Sequence, residues 1–116
     1  MSNHDQIARA FSAHQFNETY EHLAPDIRWS LVGGPTIEGR DAVIAACRDS
    51  TAEFAGVSTD FTRFISVVAD TSVAIDAVGR YTDVEGGVSV VSSCDIYEFD
   101  GELLTAITSY AVELPG

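Results

Sequence analysis

Hydrophobic positions recur at two different spacings along the chain. Near the start Ile7 and Phe11 lie four apart, and Asn3 with Gln6 has the spacing of a capping box, which predicts a helix over 4–14. Asn17 can cap a short second helix in which Tyr20 and Leu23 share a face, and Pro25 stops it. Ile27, Trp29 and Leu31 then alternate with Arg28 and Ser30, predicting a strand over 26–32 that the run Gly33-Gly34-Pro35 breaks. Val43, Cys47 and Phe54 fall on one stripe of a further helix predicted over 40–54.

From Gly56 onward the spacing changes to that of strands. β-branched and aromatic residues are punctuated by Asp70-Thr71, Glu85-Gly86-Gly87 and Asp100-Gly101, predicting strands over 57–68, 72–83, 88–99 and 102–113. Helices followed by a meander read as an α+β fold, with helices packed on one face of a strongly curved antiparallel sheet. With 116 residues and no linker, repeat or low-complexity run, the expectation is one domain over 1–116.

Charge narrows the partners. Eighteen acidic residues face six basic ones, all arginine, for a net charge of −12. Such a surface repels phosphate backbones and anionic lipid, so neither nucleic acid nor membrane is expected as a partner. No apolar run approaches the roughly 20 residues of a membrane span and no leader pattern opens the chain, which suggests a soluble, cytoplasmic protein. Cys47 and Cys94 fall in a helix and a strand without metal-ligand spacing and read as reduced, buried thiols. P-loop, GxGxxG, Ser-His-Asp and metal-ligand patterns are missing, so neither a metal nor a cofactor is expected.

Turn lengths assign side chains to faces. A two-residue Asp100-Gly101 loop pairs Tyr97 with Leu104, Asp95 with Ala106, Ser93 with Thr108 and Val91 with Tyr110. A symmetric turn over 84–87 pairs Asp83 with Val88, which sets Val78 opposite Ser93, Arg80 opposite Val91 and Asp76 opposite Asp95. Two carboxylates so placed repel, and in a shielded site one holds its proton. Simple alternation offers another reading: Val73, Ile75, Ala77 and Tyr81 form the core side of their strand, and Asp76 and Arg80 face water.

The order of elements, the Trp29 strand, the segment GGPTIEGRDAVIAAC and the closing CDIYEFDGELLTAITSY together resemble the NTF2-like superfamily, with its SnoaL-like and ketosteroid-isomerase-like branches nearest. The resemblance implies a cone of curved sheet closed by helices over a pocket, commonly as a homodimer. The apolar positions Val73, Ile75, Val90, Cys94, Ile96 and Ile107 are where two copies are expected to meet. CDIYEF is similar to the stretch of ketosteroid isomerases that presents a protonated aspartic acid to an oxyanion, which maps onto Asp95. The isomerase base falls near Leu31 and the oxyanion tyrosine on Ala10 or Phe11, both departures from the pattern. The catalytic aspartate of the SnoaL-like and epoxide-hydrolase-like branches falls on Thr108, while Asp76 and Arg80 resemble an epoxide-hydrolase pair at a spacing of four instead of two.

The resulting expectation is a cofactor-independent acid/base enzyme of isomerase, cyclase or hydratase type, acting on a small apolar carbonyl, enol or epoxide compound. Asp95 and Asp76 would divide the roles of base and hydrogen-bond donor, with Arg80 tuning them. Trp29 would stack on a ligand or fill core, Tyr97 and Tyr110 would orient a carbonyl, and Thr108, Val78, Ser93 and His14 would complete the pocket. The competing expectation is a module of the same fold that binds a small molecule or dimerises without turnover.

Overall fold

The computed structural model describes residues 3–115. Helix α1 (His4–Ser12) buries Ile7, Ala8, Phe11 and Ser12. Its N-terminus is held by the Asn3 carbonyl, which accepts from the Ile7 amide at 3.0 Å, and the Asn3 side chain makes no cap, so the anticipated capping box does not form. The helix ends two residues earlier than expected because the His14 amide returns to the Phe11 carbonyl and the Gln15 amide to the Ala10 carbonyl. This is a Schellman closure, whose turning residue adopts a left-handed conformation. Here that residue is His14, at φ 66°.

Two 3₁₀ turns, Phe16–Glu18 and Tyr20–His22, stand where one short helix was expected. Strand β1 (Leu23–Leu31) begins before Pro25, and a short strand β2 (Thr36–Glu38) follows the Gly-Gly-Pro turn. Helix α2 (Arg40–Glu53) then leads into the long strands β3 (Ser58–Val68), β4 (Ser72–Thr82), β5 (Val88–Asp100) and β6 (Leu103–Leu114). The meander β3 to β6 is antiparallel, as its turns dictate. The sheet order is β2-β1-β6-β5-β4-β3, and β1 lies parallel to β6, so the six-stranded sheet is mixed and not purely antiparallel. The crossover through α2 carries the chain to the far edge, and the meander returns to β1 running in the same direction. The curved sheet is open, and α1 and α2 cover its inner face.

Both hairpins depart from the expected register. The turn after β4 is closed by the pair Thr82 and Val88, and the Asp83 side chain accepts from the Glu85 and Gly87 amides at 2.8 Å. The pairing therefore slips by one residue, and such a slip transfers a strand's side chains to opposite faces. Asp95 stands opposite Ile75, and Asp76 opposite Cys94. Between β5 and β6 the turn falls at Gly101-Glu102, and an irregularity follows at Glu98/Phe99, across which Thr105 donates to the Glu98 carbonyl. Asp95 consequently pairs with Ser109, whereas Thr108 pairs with Ile96 and Tyr110 with Cys94.

The concave face of the sheet forms the core. Val73, Ile75, Ala77, Tyr97, Phe99, Leu104 and Ile107 pack there with Ile27 and Trp29 against α1 and the Val43 and Cys47 face of α2. The face expected to join two copies mixed the two sides: Val73, Ile75 and Ile107 belong to this core, and only Val90, Cys94 and Ile96 lie on the convex side. Both cysteines are free; Cys47 is buried, its thiol pushed up to about 12 by desolvation, while Cys94 is only half-buried. Among the described residues no helix is long and apolar enough to cross a membrane.

Candidate functional site

A cavity of about 580 Å³ opens between the helices and the concave face. Its inner wall is apolar, built from Phe11 of α1, Phe16, and Trp29 and Leu31 of β1. Asp95 enters this wall because β5 alternates, so that Ser89, Val91, Ser93 and Asp95 all point inward.

Asp95 is fixed from behind. Ser12 Oγ donates to Asp95 Oδ2 at 2.8 Å, and the Tyr97 hydroxyl reaches the same oxygen at a longer 3.4 Å. Ser12 Oγ also lies 2.6 Å from the Tyr97 hydroxyl. Burial first, and then the nearby Asp95 charge, raise the Tyr97 pKa well above its ordinary value, so this phenol stays protonated. Both bonds fall on Oδ2, which leaves Oδ1 as the oxygen for a ligand.

A second polar pair completes the cavity. His14 Nε2 lies 3.0 Å from the Tyr81 hydroxyl. Around the imidazole stand Phe16, Phe54, Phe61 and Tyr81, with ring centroids 5.1–6.2 Å away. Desolvation lowers the His14 pKa from 6.5, and the Asp95 charge opposes that shift. Burial, reinforced by Asp95, raises the Tyr81 pKa. Asp95 is thus near enough to act on the protonation of both partners. The left-handed conformation of His14 belongs to the Schellman turn that ends α1, and it is unfavourable for a residue with a Cβ.

The residues proposed from sequence divide between the faces. Asp95, Trp29, Ser93 and His14 line the cavity. Trp29 fills core at 8% exposure, presents its ring to the cavity, and donates from Nε1 to Ser109 Oγ at 2.9 Å. Tyr97 is fully buried behind Asp95 and does not line the cavity. The placement of Asp76, Arg80, Val78, Thr108 and Tyr110 on the pocket face is corrected: the one-residue slip and the irregularity put them on the convex side. There Asp76 forms an ion pair with Arg63 at 2.8 Å, both groups about half exposed, instead of a carboxylate pair with Asp95.

Sequence reasoning missed Ser12, Tyr81 and Ser109. Ser12 falls on the buried face of α1, one residue from Phe11, a signal open to helical periodicity. Simple alternation puts Tyr81 on the core side of β4, and that side is the cavity side. Among the described residues no group of three or more His, Cys, Asp or Glu could hold a metal ion.

The SnoaL-like domain family model matches residues 4–107. No curated protein matches the chain. Among solved structures, an NTF2-like protein of unknown function from Cytophaga hutchinsonii shares 31% identity over 95% of this chain and 96% of its own, with a TM-score of 0.83. A candidate polyketide cyclase from Xanthomonas campestris shares 18% over 94% and 92%, with a TM-score of 0.71. A candidate isomerase from Bacillus subtilis shares 15% over 95% and 86%, with a TM-score of 0.72. The last two matches bear on the fold alone.

Proposed function

We propose that this chain, which belongs to the SnoaL-like domain family of NTF2-like proteins, is a cofactor-independent acid/base enzyme of isomerase or cyclase type, acting on a small, largely apolar carbonyl or enol compound. The observation that carries the reading is Asp95: a carboxylate set in an apolar cavity wall, one oxygen held by Ser12 and Tyr97, the other left for a ligand. A base in such a setting removes a proton from the carbon beside a carbonyl, and the electron pair moves onto the carbonyl oxygen. The Tyr81 and His14 pair offers a hydrogen bond to that developing oxygen, a neutral imidazole being suited to polarise a carbonyl without giving up its proton. Return of the proton to a different carbon completes an isomerisation; attack by the enolate carbon on a second carbonyl of the same molecule, whose oxygen then takes the proton back from Asp95, completes a cyclisation. The names carried by the Xanthomonas and Bacillus structures accord with these two outcomes. Epoxide hydration is less favoured, since the Asp76 and Arg80 pair on which it rested faces away from the cavity.

Deuterium exchange beside the carbonyl of small aryl and cyclic ketones, followed by NMR in heavy water, tests the chemistry without a known product. Wild-type protein is expected to accelerate exchange in at least one ketone, and Asp95→Asn to lower that rate on the order of 10²-fold or more. Absence of exchange across the panel, or full exchange in the variant, overturns the reading.

We also propose a second copy of this chain as partner. Ile65 and Val67 of β3, Val88 of β5 and Tyr110, Val112 and Leu114 of β6 are exposed on the convex side, apolar surface that a second copy would cover. Sedimentation is expected to show a dimer that Val112→Glu dissociates; a wild-type monomer at all concentrations removes the partner.

A further inference from the structure

Every charged residue in the cavity wall is an acid. Asp95 lies inside, and Glu53 at the end of α2, Asp83 in the turn after β4 and Glu113 near the end of β6 are exposed residues of the same lining. None of the chain's six arginines lines the cavity. Arg9, Arg28 and Arg63 are engaged by Asp5, Glu38 and Asp76, Arg48 lies over Tyr20, Arg80 stands across the strands from Asp60 on the convex side, and Arg40 opens α2 outside the lining. The remaining polar wall is hydroxyl, from Ser12, Ser50, Ser89, Ser93 and Ser109. In the same lining Phe54 stacks on Tyr81 at 5.5 Å, offering ring faces to a cation.

A carboxylate, phosphate or nucleotide-linked thioester entering here would meet like charge at the exposed acids and again at Asp95, with no guanidinium to receive it. A ring-bearing amine would meet attraction at both places, and its apolar body would find Phe11, Phe16 and Trp29. We propose that the substrate of this site is an amine-bearing ring compound, its ammonium drawn to the exposed, acidic side of the cavity and its ring system set against the inner aromatic wall. This rests on the acid/base reading for the location of the site, and adds the charge of what enters it.

The test is calorimetric titration of the full chain with three probes of one shape: naphthylmethylamine, naphthylmethanol and naphthoate. The amine is expected to bind tightest and the carboxylate weakest, spread by about tenfold or more, as several weak ion pairs acting together allow. The spread should shrink on raising salt from about 0.02 M to about 0.3 M. Glu53→Gln combined with Glu113→Gln should compress the ratio of amine to carboxylate affinity, which loose association with the rest of the acidic surface would not. A flat ranking, a preference for naphthoate, or a ratio insensitive to the double substitution overturns the proposal and leaves the acid/base reading standing. The expected ranking without deuterium exchange in any ketone sustains the proposal and removes the acid/base reading. Failure of all three probes to bind removes the proposal and leaves the acid/base reading to the exchange experiment.

Discussion

The hydroxyl of Tyr81 meets Nε2 of His14 at 3.0 Å, joining the turn after the first helix to a strand 67 residues away. The contact depends on an absent side chain. A Cβ built at Gly79 would fall 2.9 Å from the Tyr81 hydroxyl and 3.0 Å from two of its ring carbons, so the phenol lies back over its own strand across a position that only glycine leaves open. The Gly79 backbone is ordinary strand, so what the glycine provides there is space.

Gly79→Ala is therefore expected to displace the Tyr81 ring and break the bond to His14 at little cost in stability, because the obstructed atoms are the far end of a side chain. The His14 ring nitrogens, followed by NMR, should shift as they do in Tyr81→Phe. A Gly79→Ala protein whose His14 signals match wild type would show that the space over Gly79 is not what positions the phenol.

His14 also predicts a pH dependence. Desolvation lowers its folded pKa below 6.5, so between that folded value and 6.5 the unfolded chain binds a proton that the folded chain does not. Stability from this group is complete above 6.5 and is lost as pH falls through 6.5 toward the folded value. Denaturant unfolding at stepped pH should show wild type losing more stability below 6.5 than His14→Asn, since asparagine tolerates the left-handed backbone and does not titrate. Parallel profiles for the two proteins would contradict the buried, neutral imidazole.

Element types and the fold were legible because each rests on local spacing: Ile7 and Phe11 for the first helix, and alternation with Gly-rich turns for the last four strands. The side to which Asp76 points was not, because it depends on whether Asp83 or Thr82 closes a hairpin. That choice is made by side-chain bonds from Asp83 to the turn amides, which no hydrophobic pattern encodes. The parallel contact of β1 with β6 was equally hidden, being a result of the crossover through α2 and not of any residue within either strand. Asp95 lines the cavity although the pairing with Asp76 expected for it does not form, because alternation along β5 turns it inward; Ser12 and Tyr81, which share its cavity, read from sequence only as helix and core.

Asp76 supplies a direct check on the observed register. It is paired with Arg63 on the convex face, with the side chains 45% and 51% exposed, and such pairs contribute about 0.2–1 kcal/mol. Asp76→Asn should cost no more than that and leave deuterium exchange at the wild-type rate, in contrast to Asp95→Asn. Comparable losses of exchange in the two variants would restore the carboxylate pair that the register denies.

The last relationship concerns how Asp95 is held. Ser12 Oγ stands between two partners, 2.8 Å from Asp95 Oδ2 and 2.6 Å from the fully buried Tyr97 hydroxyl, whose own reach to Asp95 is a weaker 3.4 Å. Ser12→Ala removes the bridge and leaves a buried phenol with one long bond, so it is expected to destabilise by about 1–3 kcal/mol. Tyr97→Phe deletes the hydroxyl that would otherwise be stranded, and the double variant should therefore lose less than the sum of the two single ones, by about 0.5 kcal/mol or more. Chemical denaturation of the four proteins closes this cycle. The same hydroxyls aim the carboxylate, so exchange activity should fall in both single variants, and more steeply in Ser12→Ala, whose bond to Asp95 is the shorter. Strict additivity in stability, with exchange unchanged, would mean that Asp95 is placed by its strand alone.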